Sequence, residues 1–199
     1  MLITEEMIVY PGNPRPLIRR YASIPQDKVN ESILILGSHT GTHVDSRLHI
    51  RNEGEGTTSL PLESFYGKCR VFDLTFVEKE IHRQDLEGFQ IEKGGVIVLL
   101  KTRNSTLGGY AKFRKDFIHL KLDAAEYLVM RKIKTLGFDY LSVKKFGGDD
   151  EVHELLIDNM TLFEGLNLAD VPEGEYTFLG LPLKVDLDGA PARVILVRE

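Results

Sequence analysis

The stretch His39-Thr40-Gly41-Thr42-His43-Val44-Asp45-Ser46-Arg47-Leu48-His49 holds three of the six histidines of a 199-residue chain. On a helix, an H-x-x-x-H pair puts both imidazoles on one face. Gly41 between two β-branched threonines is a poor helix interior, however. Extended backbone suits the stretch better, and His43 and Asp45, two apart, then point to the same side. His39, His43, Asp45 and His49 all share one parity. Ten extended steps would span about 33 Å, too far for one site, so the chain must bend. Gly41 supplies the freedom to do so. Imidazoles beside a carboxylate suit Zn2+, Mn2+ or Fe2+.

Outward from this stretch, short β-branched or Leu-rich runs near Gly, Pro or Asp read as strands. They cover residues 28–36, 70–74, 95–100, 135–138, 176–181 and 193–197. Two segments read as helices. Asp123 is placed to cap a run in which Ala125, Leu128, Val129 and Ile133 recur at helical spacing. A second helix follows Gly147 and Gly148, with Asp149, Asp150 and Glu151 in its first turn and Val152, Leu155 and Leu156 on its apolar face. Strands outnumber helices without alternating one for one. That predicts an α/β or α+β chain with a mixed sheet and few helices. Residues 51–59 (RNEGEGTTS) read as a polar surface loop or lid.

Further metal donors have to come from outside the first stretch. His82 lies in a charged run and reads as solvated, and His119, between Ile118 and Leu120, reads as structural. His153 opens the second helix and is the better candidate. Glu164 is flanked by Leu162, Phe163 and Leu166, and a carboxylate buried there needs a partner, which a metal ion provides.

Composition narrows the function classes. At 199 residues the chain is expected to form one domain. Its 25 basic and 30 acidic side chains give a net charge of −5, with no basic block, which argues against nucleic acid as a partner. No apolar run approaches the length of a membrane span, and the first residues, MLITEEMIVYPG, do not read as a secretion signal. The single cysteine, Cys69, forms neither an internal disulfide nor a thiolate cluster and reads as packing. A reducing cytoplasm is the expected location. No G-x-S-x-G elbow exists, so a serine-hydrolase reading fails.

The residues quoted so far resemble the metal-dependent cyclase family that includes bacterial kynurenine formamidase. HTGTHVDSRLH matches the hallmark H-x-G-T-H-x-D-x-P-x-H except at one position. GFDYLSV (137–143), HELLIDNMTLFEGLNL (153–168), LPLKVDLDGAPARVIL (181–196) and VYPGNP (9–14) are similar to further family stretches, so the likeness covers nearly the whole chain. It implies an α/β, swivelling β/β/α fold and a hydrolase site with one or two divalent ions, zinc or manganese. It also implies His39, His43 and Asp45 as ligands, with His153 and Glu164 downstream. Asp45 and Glu164 would bridge if two ions are present. His49 would ligate a second ion or carry protons, and the proton role is the one expected here. Arg47 stands where the family has proline, and Asn13 where aspartate is common. Arg47 is a candidate for an anionic substrate group such as a carboxylate, or else a solvated side chain.

The implied reaction is hydrolysis of an amide-type bond in a small molecule, an aryl formamide of the N-formylkynurenine type, by metal-activated water. Alternatives are a hydrolase or cyclase acting on a lactam, lactone or other ring, and a non-catalytic metal-containing protein that binds a small molecule. Tyr10, Phe65 and Tyr66 are candidate pocket aromatics. A homodimer or homotetramer is expected, with an apolar strand near residues 7–10 lying across the partner.

Overall fold

The structure, a computed structural model, describes residues 1–106 and 112–198. In chain order its elements are β1 (Leu17–Ala22), β2 (Glu31–Ile35), β3 (His43–Asp45), β4 (Tyr66–Asp73), β5 (Glu80–Ile81), α1 (Arg83–Glu87), β6 (Ile97–Lys101), β7 (His119–Leu120), α2 (Leu122–Met130), β8 (Thr135–Phe138), α3 (Glu151–Asn159), β9 (Thr161–Glu164), β10 (Gly174–Pro182) and β11 (Gly189–Val197). Among the described residues no helix is long and apolar enough to cross a membrane.

Seven strands close into a barrel in the order β10-β11-β3-β9-β8-β6-β4. The run β4-β6-β8-β9 is parallel, and the remaining pairs are antiparallel. This is the mixed sheet with few helices that the sequence predicts. Alternation along the strands divides the apolar residues between two cores. Cys69, Val71, Ile97, Leu99, Phe163 and Phe178 fill the barrel. Phe72, Val98, Leu100, Leu136, Phe138 and Leu162 point outward and meet the helices. Gly137 faces the interior so closely that a Cβ there would sit 2.4 Å from Leu99 Cδ2, which accounts for glycine in the middle of β8.

The helices cover the parallel side, as parallel strands require. On α2, Ala124, Ala125, Tyr127 and Leu128 are buried, and on α3 so are Val152, His153, Leu156 and Ile157. His153 thus takes a place on the apolar stripe of α3.

Several expectations need correction. α2 starts at Leu122, so Asp123 lies inside the first turn, where its carboxylate accepts from the Ala124 and Arg83 N–H groups. Ile133 falls beyond the helix, which ends at Met130, with Lys132 at φ +54°. The strand expected over residues 28–36 begins only at Glu31. Residues 7–10 form no strand: Met7 and Ile8 are buried in this chain, so they are not laid out for a partner. Residues 51–59 are no free lid, because Leu48 N–H bonds Glu55 O and Thr57 N–H bonds Leu187 O.

Candidate metal centre

β3 is three residues long, and its register builds the site. His43 lies opposite Glu164 on β9, and Asp45 opposite Leu162. On its other side Asp45 lies opposite Gly189 of β11. Val44 belongs to the barrel interior, so His43 and Asp45 point outward, as does Glu164 two residues after outward-facing Leu162. Gly41, at φ +67°, makes the bend that folds His39 back over Asp45. From the other side α3 delivers His153.

Asp45 is the hub. Its Oδ1 lies 2.8 Å from His39 Nδ1 and 3.3 Å from His43 Nε2, and its Oδ2 lies 2.9 Å from His153 Nε2. Glu164 Oε2 is 3.7 Å from His43 Nε2, and Glu164 Oε1 is 3.7 Å from His153 Nε2. Glu164 Oε1 also accepts from the Val143 N–H at 2.8 Å. His43 Nδ1–H donates to Gly41 O at 2.9 Å, so Nε2 is the ring nitrogen that faces both carboxylates.

Asp45 and Glu164 are only 1% and 3% exposed. Burial alone would push Asp45 up, but hydrogen bonds from His153, His39 and His43 hold it well below the ordinary carboxylate value. Burial, and then the charge on Asp45, push Glu164 up. His39 is raised to about 9: burial works against its charge, and bonds to Asp45 and Asp188 override it. Burial likewise disfavours charge on His153, yet Asp45 and Glu164 raise it. Among the described residues no lysine or arginine pairs with Asp45 or Glu164.

Two buried carboxylates ringed by imidazoles lack positive charge unless the imidazoles are protonated or a cation enters. The mixed nitrogen and carboxylate donors fit a divalent transition ion. Two donor groups, His39 with His43 and Asp45, and Asp45 with His49 and His153, each have their ligand atoms within 4.8 Å of one another. They share Asp45. The structure therefore brings together all five residues expected as ligands, with His49 beside them.

His49 sits at the rim. Its ring centroid is 4.1 Å from that of His39 and 5.4 Å from that of His153, and its side chain is 34% exposed. Burial holds it below the ordinary histidine value; His39 and His153 add to this, while Asp45 and Asp188 oppose it. Arg47 turns the other way. Its Nη2 donates to Asp158 O at 2.9 Å, at the end of α3, and its Nη1 lies 3.9 Å from Glu55. Arg51 joins it, bonding Asp158 Oδ2 at 2.9 Å. These two cations, on either side of His49, pin the turn that carries it to the helix that carries His153.

Of the expected pocket aromatics, only Tyr10 is near the centre, where it feels the charges of Lys144, Glu164 and Asp150. Phe65 packs inside the barrel against Phe163, and Tyr66 is exposed on β4. Sequence reasoning missed Phe113 and Phe146, whose rings pack on Tyr10 at 5.3 and 5.7 Å. It also missed Asp188, whose Oδ2 is 2.7 Å from His39 Nε2. The Asp-Gly dipeptide at 188–189, a turn signal before the last strand, was the available clue.

Comparison with known proteins accords with this arrangement. The sequence pattern of the Cyclase family matches residues 1–145. A kynurenine formamidase of Bacillus cereus is 31% identical over 199 residues, covering 98% of this chain and 93% of that protein. A kynurenine formamidase of Salinibacter ruber is 36% identical over 183 residues, covering 86% and 81%. The solved structure of a potential metal-dependent hydrolase with cyclase activity matches with a TM-score of 0.87 at 37% identity, over 100% of this chain and 96% of that one. With the pattern spanning most of its length and such relatives matched nearly end to end, the chain belongs to the Cyclase family.

Proposed function

We propose that this protein is a metal-dependent amidohydrolase that opens the formamide of an aryl formamide, of the N-formylkynurenine type. The observation that carries the reading is the pair of buried carboxylates, Asp45 and Glu164, faced by His39, His43 and His153 and by no lysine or arginine among the described residues. Relatives named kynurenine formamidase support the substrate class.

His39, His43, Asp45, His153 and Glu164 would hold one or two divalent ions, zinc or manganese by donor type. A bound ion would supply Lewis acidity toward the carbonyl and would lower the pKa of a water to about 7. The chain's own residues do the rest. Addition of water to the formyl carbon and cleavage of the C–N bond release formate and an amine, and the amine nitrogen needs a proton. His49, half-exposed at the rim and held low by burial, is the group in this proposal that delivers it. Tyr10, Phe113 and Phe146 offer ring faces to the aryl group. Arg47, already bonded to Asp158 O, would have to leave that partner to meet a substrate carboxylate.

A homodimer or homotetramer is part of the reading. The β1–β2 arm exposes Ile33, Leu34 and Ile35, which alternate between both faces of β2, and Leu34 lines an apolar groove of about 870 Å³ with Leu181, Leu183 and Val194. A second copy of the chain would cover these residues. The buried thiol of Cys69, pushed up by burial to about 12, suits a reducing cytoplasm.

The deciding experiment is turnover of N-formylkynurenine, beside a panel of formamides, lactams and lactones, on protein of measured metal content. Formate release that requires bound metal supports the reading. Metal-loaded protein that binds aryl amides without turnover sinks it.

A further inference from the structure

We infer that Asp188 and Gly189 are the positioning pair that presents His39 Nδ1 to the metal centre. The assignment rests on the reading of His39 as a ligand, and it adds two residues that the ligand pattern does not contain.

The two nitrogens of His39 meet different carboxylates. Nδ1 lies 2.8 Å from Asp45 Oδ1, inside the centre, and Nε2 lies 2.7 Å from Asp188 Oδ2, at the rim. A neutral imidazole that ligates through Nδ1 must carry its proton on Nε2. Asp188 is the acceptor at that nitrogen, the carboxylate–histidine–metal arrangement that fixes tautomer and ring orientation. His43 makes the contrast. Its Nδ1–H goes to Gly41 O, so it offers Nε2 instead. The two histidines turn opposite nitrogens to Asp45, and each has its own acceptor behind the ring.

Gly189 is the second, independent observation. The His39 ring lies against its Cα so closely that a Cβ would sit 2.7 Å from Cε1, 3.0 Å from Nδ1 and 3.1 Å from Nε2. Any larger residue would push the imidazole off its seat. Gly189 also stands opposite Asp45 in the β3–β11 ladder. Asp188 is anchored at the same place, since its carbonyl accepts from both the N–H and the Oγ–H of Ser46 at 3.0 Å. Its carboxylate further accepts from Ser38 Oγ–H at 3.0 Å. The cradle is thereby registered to Asp45 by backbone bonds, so ring and carboxylate are placed by one strand pair.

The competing role for Asp188 is direct ligation. Together with His39 and His49 it forms a third group whose donor atoms lie within 4.8 Å of one another. Stoichiometry separates the two roles.

The test is Zn2+ affinity, by competition with a chromophoric chelator, on the parent and on Asp188→Ala, Asp188→Asn and Gly189→Ala, each checked for native circular dichroism. Long-range 1H–15N spectra of the Zn2+-loaded proteins read the His39 tautomer, which a merely structural role would not move. Asp188→Ala should bind Zn2+ about 10–100-fold more weakly at unchanged stoichiometry. The Nε2–H tautomer of His39 should give way to a mixture. Asp188→Asn should fall between, because its amide oxygen still accepts the Nε2–H. Gly189→Ala should weaken binding even though every polar group is retained; if it fails to fold, Asp188→Ala carries the test. Parent-like affinity and tautomer in Asp188→Ala overturn the proposal, and so does clean loss of one equivalent of Zn2+ with the remainder unaffected. His39→Ala is the control for the underlying reading. If it binds Zn2+ like the parent, the metal assignment of His39 is wrong. If it binds weakly while Asp188→Ala does not, only the cradle is wrong.

Discussion

His43 and Glu164 face each other across the β3–β9 ladder, with Nε2 and Oε2 3.7 Å apart. Strand pairing, rather than a local motif, sets this distance. A slip of one residue in β9 would turn Glu164 into the barrel and Phe163 out of it. The fully buried Val44–Phe163 pair beside it holds the register. The geometry of the centre is thus guarded by apolar packing one residue away.

Glu164→Ala and His43→Ala should each lose metal. The loss should exceed the about 10–100-fold typical of changes behind the ligands, and elemental analysis of purified protein measures it. Parent-like content in both variants would remove the site.

His49→Ala should keep its metal and fold while kcat falls about 10²–10⁴-fold, or about 3–5 kcal/mol of barrier. His49→Gln should behave alike, since an amide does not titrate near neutral pH. Steady-state kinetics on metal-quantified protein decides it. A metal-depleted His49→Ala rescued by excess Zn2+ or Mn2+ would make His49 a ligand instead.

Metal-free protein should lose stability toward alkaline pH. The His39 value of about 9 lies above the ordinary histidine value of 6.5. Its contribution is therefore complete below about pH 6.5 and disappears as pH rises through about 9. Urea midpoints of chelator-treated protein at pH 6.5 and 9.5 should fall in that order. Loading metal at pH 7.5 should also release protons, seen as a buffer-dependent heat in calorimetry. Identical midpoints, and heats independent of buffer, would contradict the charged His39.

Asp139→Ala should destabilise the fold while leaving metal content unchanged. Asp139 is fully buried and accepts from the N–H and hydroxyl of both Thr102 and Ser105, at 2.7–3.2 Å. Burial pushes its carboxyl up, and those four bonds oppose the shift. Its removal strands two buried N–H groups, each worth about 1–3 kcal/mol. Denaturant melts with elemental analysis measure both effects; lost metal at full stability would place Asp139 in the centre.

Light scattering should find more than one chain per particle at micromolar concentration. Leu34→Lys with Ile35→Lys should break the particle down without unfolding the barrel, because both residues are exposed in the single chain. A monomeric parent would refute the oligomer.

The sequence made the first half of the site readable because its logic is local. Gly41 does take the bend, and the parity of His43 and Asp45 does put both side chains on one side of a strand. His153 and Glu164 were readable as candidates by chemistry alone, as a histidine in the first turns of the second helix and a carboxylate in an apolar run. Asp188 was not, because its partner lies 149 residues away and the pairing of β3 with β11 leaves no local pattern. Asp123 misled for a related reason. A good capping residue was displaced by one turn chemistry for another, its carboxylate being drawn to Arg83 N–H as well as to its own helix. The likeness in residues 137–143 was recognised, but only the buried bonds of Asp139 explain what that aspartate is for.

The closure of the barrel through β11 also bears on how the protein comes into being. β3 sits between β9 and β11, so both of its neighbours are made well after it by a ribosome working from the N-terminus. His39, His43 and Asp45 leave the exit tunnel ahead of both partners and wait unpaired while the whole stretch from β4 to α3 is made. The centre is completed only when Glu164 and then Gly189 arrive, so a nascent chain halted before β11 should emerge without a formed centre however much ion surrounds it.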